Sequence, residues 1–189
     1  MTAEQWSLIV SFIAMLFVAG SYFLKKKSGY LTFQALGMIC LIISYLLDGL
    51  YFAMIGLGVG LARALVFFVY EKQDKESSIW WSVFFSLLTI LFYLVINVGI
   101  LKKVRWEDTL YLVGLILYAF VFRIRNLEWM RYTVTIPTSL CILYNILCQA
   151  SPFVVFSYVF ELGANLVAIV QYHIIEKIKE KKEIAHEEN

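Results

Sequence analysis

The sequence predicts an all-α integral membrane protein of seven transmembrane helices, and three observations predict it. Of the 189 residues, 61% are hydrophobic and 17% aromatic, with a mean hydropathy of +0.78. A soluble domain runs nearer roughly 45–50% apolar. Seven apolar segments reach the roughly 17–25 residues that a hydrocarbon core of about 30 Å requires. Positive charge, finally, alternates between loops in the way an odd number of spans demands.

The segments run 4–24, 30–47, 50–70, 78–101, 108–122, 129–148 and 153–175. The first lacks a basic leader and is too long for the apolar core of a cleavable signal, so it is expected to remain in the protein. The second follows Lys25-Lys26-Lys27 and ends at the turn Asp48-Gly49. The third holds Gly56-x-x-x-Gly60, a small-residue pattern that lets helices approach closely. The fourth stands alone, the fifth is short, and the sixth carries Pro137, which removes one backbone hydrogen bond and permits a kink or hinge. Gln149-Ala150-Ser151-Pro152 turns the chain into the seventh. From Glu176 to Asn189 the last helix continues as a mixed-charge tail whose Glu and Lys spacing reads as a solvated helix end.

Trp6, Trp80, Trp81, Trp106 and Trp129 fall near segment ends, as an interfacial aromatic belt does, and Tyr172 and His173 sit at such an end too. Cys40, Cys141 and Cys148 lie inside spans and read as small hydrophobes, with neither disulfide nor metal-ligand spacing.

With seven spans, Lys25, Lys26, Lys27, Lys72, Lys75, Arg123, Arg125, Arg131, Lys177, Lys179, Lys181 and Lys182 share one side, against Lys102, Lys103 and Arg105 on the other. Short loops rich in Lys and Arg stay cytoplasmic. The N-terminus is therefore expected outside and the C-terminus in the cytoplasm.

Residues 1–77 and 108–177 read as two copies of a three-helix unit, with 78–107 as a linker helix and 178–189 as a cytoplasmic tail. Phe23-Leu24-Lys25-Lys26-Lys27 matches Val121-Phe122-Arg123-Ile124-Arg125 at a displacement of 98, and Ala62-Arg63 matches Ala164-Asn165 at 102. One linker helix leaves the copies parallel, related by an axis along the membrane normal. Such repeats occur among secondary transporters, with the solute site near the midplane between them.

Arg63 and Glu161 interrupt the third and seventh runs. A charge at the bilayer centre costs about 2.5–3.5 kcal/mol on insertion scales, so intramembrane ionisable residues mark function or pair with one another. At 1.5 Å per residue their Cα levels differ by roughly 9 Å, within reach of two long side chains. Asn165 lies one turn beyond Glu161 on the same face. Asn145, with Tyr144 beside it, sits late in the sixth run. Arg63, Tyr144, Asn145, Glu161 and Asn165 are the candidate solute-binding residues, and Pro137 the candidate hinge. No nucleophile elbow, P-loop, zinc helix or acidic metal cluster is present, so nothing points to an enzyme, a cofactor or nucleic acid.

The stretch Lys25–Gly37 (KKKSGYLTFQALG), Ala62-Arg63-Ala64-Leu65, Leu143-Tyr144-Asn145 and Glu161 together resemble the YgjV-type bacterial inner membrane proteins over nearly the whole chain. The resemblance implies an Arg in the third helix, an aromatic- or His-Asn pair in the sixth and a Glu in the seventh. The 3+1+3 layout is similar to that of the SWEET sugar facilitators, the PQ-loop transporters and the nicotinamide riboside transporters. The chain departs from the PQ-loop pattern: Thr138 follows Pro137, and the second span has no proline.

Two readings follow. In one, a small solute binds between the halves and rocking alternates access, with Glu161 as the group that carries a proton and Arg63 receiving an anionic group. In the other, Arg63 and Glu161 only specify packing in a membrane assembly partner, sensor or receptor. The partners expected are a solute, the lipid bilayer and, in some assemblies, further copies of the chain.

Overall fold

In hydrocarbon every backbone N–H and C=O must be satisfied inside its own segment, so apolar runs of spanning length become helices. The computed structural model describes residues 2–21, 24, 27–102 and 104–187, with side chains except at Lys27, Leu127, Glu128, Ala168 and from residue 171 onward. Within them the chain forms α1 (Ala3–Ser21), α2 (Lys27–Leu47), α3 (Tyr51–Lys72), α4 (Ile79–Tyr93, continued by a π-helical segment Leu94–Ile100), α5 (Trp106–Val121), α6 (Leu127–Leu147) and α7 (Pro152–Glu187). Among the described residues there is no strand. Lys25, Lys26 and Phe23 of the first loop motif, Lys103, and the side chains of Tyr172, His173 and the charged tail lie outside the described residues.

Among the described residues, four helices are long and apolar enough to cross a membrane: Ala3–Ser21, Ser28–Leu47, Tyr51–Lys72 and Ile79–Ile100. Pro152–Val167 is a shorter apolar stretch. Helix α5 has 16 residues, and α6 is diluted by Arg131, Thr133, Thr135, Thr138 and Ser139.

Helix α1 packs on α2 and α7, α2 on α3, α3 on α5, α5 on α6, and α6 on α7. Six helices thus close a ring in the order α1-α2-α3-α5-α6-α7, while α4 lies outside it against α3 and α5. Ser82 fixes that outer helix by donating to the Ala119 carbonyl at 2.7 Å. The ring is tight where α3 meets α5. A Cβ built on Gly56 would stand 2.5 Å from Leu115 Cδ1 and 3.1 Å from Tyr111 Cε1, so any side chain there makes Leu115 shift.

From residue 30 to 46 in α2 and from 130 to 146 in α6, buried, half-buried and exposed positions succeed one another identically. The displacement is 100. In α1 and α5 the buried positions 11, 14, 18 and 21 recur at 111, 114, 118 and 121; in α3 and α7 positions 53, 56, 57, 60 and 64 recur at 154, 157, 158, 161 and 165. The helix ends repeat as well. After α2, Gly49 N–H donates to Leu46 and Leu50 N–H to Tyr45; after α6, Gln149 N–H donates to Ile146 and Ala150 N–H to Asn145. Both are the Schellman closure, which needs a left-handed residue at its centre. Gly49 supplies it at φ 71°, and Gln149 is held there at φ 54°. Burial thus aligns the chain at 100 and 101 rather than at 98 and 102, and sets Ala164, not Asn165, opposite Arg63.

One residue departs from the sequence reading. Arg131, counted among the loop cations, sits one turn into α6 and is buried. Trp81, in the first turn of α4, donates its indole N–H to the Tyr70 hydroxyl at 3.0 Å and stacks on Phe85.

Candidate functional site

The ring holds a partly open cavity of about 30 Å³ between α1, α2, α3, α5 and α7. Its walls are mostly apolar, from Val18, Met38, Leu41, Leu57, Leu115 and Phe122, and its polar groups are Gln34, Arg63, Tyr118, Ser157, Tyr158 and Glu161. A space of that size holds about one water.

Arg63 is 3% exposed. Its Nη1 donates to the Leu115 carbonyl at 3.0 Å, and the guanidinium lies 5.2 Å from the Phe122 ring centroid and 5.9 Å from that of Tyr118. Those rings face the cation with their negative quadrupole, which offsets part of the cost of burying it. The guanidinium folds back along α3, so that a Cβ built on Gly60 would stand 3.6 Å from Arg63 Nη2, an ordinary contact. Arg63 Nε has no hydrogen-bond partner. The edge of the fork that takes a carboxylate in two places is therefore not filled by protein at Nε.

Glu161 reaches the same cavity from α7 and is 6% exposed. Ser157, one turn before it, donates back to the Phe153 carbonyl at 2.7 Å. Gln34 enters from α2, its amide donating to Ser21 at 3.1 Å. Tyr118 donates to Thr138 at 2.8 Å, whose own hydroxyl donates to the Val134 carbonyl, also at 2.8 Å.

A second polar layer closes the ring at the end that bears the α2–α3 and α6–α7 turns. Tyr45 donates to Asn145 Oδ1 at 2.6 Å, and the Asn145 amide donates to the Cys141 carbonyl at 2.7 Å. Tyr111 stacks on Tyr144 with centroids 4.5 Å apart and stands edge-on to Tyr45 at 6.4 Å. Beyond them the Ser151 N–H donates to Asp48 Oδ2 at 3.1 Å, and Ser11 bonds Ser151 at 2.9 Å. Asp108 is buried in the first turn of α5 near Arg105 and Tyr144.

Of the five solute-binding candidates, the structure brings Arg63 and Glu161 to one cavity. Tyr144 and Asn145 belong to the closing layer instead. Asn165 is buried one turn past Glu161 and does not line the cavity. Pro137 lies inside α6, its carbonyl 3.4 Å from where a Cβ on Gly114 would stand. Sequence reasoning missed Tyr45, Tyr111, Tyr118, Tyr158 and Gln34, although Gln34 lies within the stretch that carried the resemblance. Among the described residues no group of three or more His, Cys, Asp or Glu could hold a metal ion.

The buried Arg of α3, the Tyr-Asn pair of α6 and the Glu of α7 are thus all interior, and the model of the bacterial inner membrane protein family Imp-YgjV matches residues 5–175. The chain belongs to this family. No curated protein and no solved structure matches it. As a YgjV-family member it is a multi-pass protein of the bacterial inner membrane, which accounts for the large apolar side chains exposed on α1, α4 and α7.

Proposed function

We propose that this protein is a small-solute transporter or facilitator, built as two parallel three-helix units joined by α4, with its site at the centre of the ring. The observation that carries this reading is the coincidence of two features: α1-α2-α3 and α5-α6-α7 share one burial register, and the cavity between them holds two side chains that are costly to place in hydrocarbon. Two like units facing each other across an axis can rock, and a site on that axis then meets each side of the membrane in turn.

All seven helices cross the membrane in this account, with the basic loops in the cytoplasm. The conformer described leaves room for about one water, and the Tyr45–Asn145 layer lies across the outer end. Gly37 and Pro137 occupy equivalent positions in α2 and α6, where each weakens its helix and lets it bend.

The small cavity also favours a second reading, a sealed bundle whose charges serve packing alone. Proteoliposomes separate the two. The expected result is uptake of at least one solute from a broad panel, with Glu161→Gln still folding yet losing accumulation driven by a proton gradient. Loss of stability with no transport phenotype in that variant would favour the sealed bundle. Orientation is read by impermeant thiol labelling of intact cells: Gln149→Cys should react from outside and Lys75→Cys should not.

A further inference from the structure

We infer that the space between the α3–α4 loop and the α5–α6 loop is a phospholipid headgroup site, with the phosphate on Arg123 and Arg125 and a headgroup ammonium toward Glu76. A cavity of about 220 Å³ opens there, lined by Glu76, Ser77, Arg123, Ile124 and Arg125. It lies apart from the central cavity, and its occupancy does not depend on solute transport.

Three observations carry the assignment. The first is the posture of Arg123. Its Nε donates to the Ser77 carbonyl at 3.0 Å, which ties the guanidinium to the opposite loop and leaves the Nη1/Nη2 edge of the fork for a ligand. Two N–H groups on that edge match two oxygens of a phosphate. Arg125 stands beside it, paired with Asp74 on the exposed rim. An ion pair in such a place contributes little and is readily exchanged for a phosphate.

The second is depth. Ser77 lies just before the segment Ile79–Ile100, which is long and apolar enough to cross a membrane. Trp80 is 74% exposed at its start, where an indole sits at headgroup level. Phe84 and Leu87 continue an exposed apolar face along α4, on which acyl chains can lie. A basic pocket between helix ends at that depth meets the phosphates of lipids. The third is charge. Glu76 lines the pocket beside the two arginines. A carboxylate there repels a purely anionic headgroup and suits one that carries an ammonium next to its phosphate, as phosphatidylethanolamine does. The trimethylated ammonium of phosphatidylcholine has no N–H to give it.

Melting of the full chain in lipid-free detergent tests this. The probes are phosphatidylethanolamine, phosphatidylglycerol and phosphatidylcholine with the same acyl chains, and soluble glycerophosphoethanolamine and inorganic phosphate. Phosphatidylethanolamine should raise the melting temperature at a roughly tenfold lower concentration than either other lipid, the factor expected for one charge-assisted hydrogen bond. Arg123→Gln should remove that stabilisation. If this variant fails to fold, Glu76→Gln, at an exposed position, serves: it should bring phosphatidylglycerol level with phosphatidylethanolamine. An equal response to the three lipids, or a preference of the parent for phosphatidylglycerol, would overturn the inference. So would an Arg123→Gln variant that folds and responds as the parent does. Glycerophosphoethanolamine or inorganic phosphate acting as well as the lipid would overturn it too, by identifying a soluble ligand.

Discussion

Tyr45 and Asn145 occupy the same position in two different helices and touch each other. The Tyr45 hydroxyl donates to Asn145 Oδ1 at 2.6 Å, across 100 residues, which is the displacement at which the burial patterns of α2 and α6 coincide. Where two units are related by a two-fold axis, a contact between equivalent positions lies on that axis. In the proposed transport reading the bond would stand across the solute's path, between the cavity and the end that bears the turns.

Equivalence of the two positions is testable by exchange. Tyr45→Phe leaves a buried amide oxygen without its donor, and Asn145→Ala leaves the hydroxyl without its acceptor, each costing about 1–3 kcal/mol. The double variant Tyr45→Asn with Asn145→Tyr restores both groups with their places swapped. Melting in detergent should show it more stable than Tyr45→Asn or Asn145→Tyr alone. Losses that simply add would break the equivalence.

The α3–α5 contact gives a packing test. Gly56→Leu drives a side chain into Leu115 and Tyr111, and overpacking of this kind costs about 1–3 kcal/mol. Gly58, two residues along the same helix, has nothing within 4 Å of its missing Cβ. Gly58→Leu should melt within about 0.5 kcal/mol of the parent, as surface changes usually do. Equal losses at both sites would mean that the close approach is not what Gly56 provides.

Arg63 distinguishes a binding group from a structural pair by whether a second substitution rescues its loss. Breaking a buried ion pair by removing one partner costs about 3–5 kcal/mol. The guanidinium here contacts a carbonyl and two ring faces and leaves Nε unbonded. Arg63→Met should therefore cost about 2–5 kcal/mol, the sum of a charged hydrogen bond and a desolvated cation–π contact, and Glu161→Gln should not recover it. Transport should vanish while most of the fold survives. A loss of stability rescued by Glu161→Gln would instead identify a structural pair.

Much of the architecture was legible because it follows from hydropathy and punctuation. The seven apolar runs became the seven helices, and the turns at Asp48-Gly49 and Gln149-Ala150 closed where the sequence placed them. Arg63 and Glu161 stood out because a charge within an apolar run has few solvent-side places to go. The interior tyrosines did not stand out. Tyr45, Tyr111, Tyr118 and Tyr158 add to an apolar run as any aromatic does, and only packing shows which hydroxyls turn inward. The register between the halves was missed for a related reason: matching letters at Arg63 and Asn165 gave 102, whereas burial pairs Glu161 with Gly60. By that register Arg63 and Glu161 lie three residues apart in level, about 4.5 Å rather than the roughly 9 Å read from the segment limits.

The account depends most on a central site that opens to one side at a time. Ser157 lines the cavity and is 1% exposed, and Ser157→Cys changes little in shape. The decisive measurement is its reaction with an impermeant thiol reagent, in a background lacking Cys40, Cys141 and Cys148, applied separately to right-side-out and inside-out vesicles. The account predicts reaction from the cytoplasmic side in the parent, and added reaction from the outer side once Tyr45→Phe weakens the closing layer. A cysteine at 157 that stays unreactive from both sides, in both backgrounds and with the solute panel present, would contradict it.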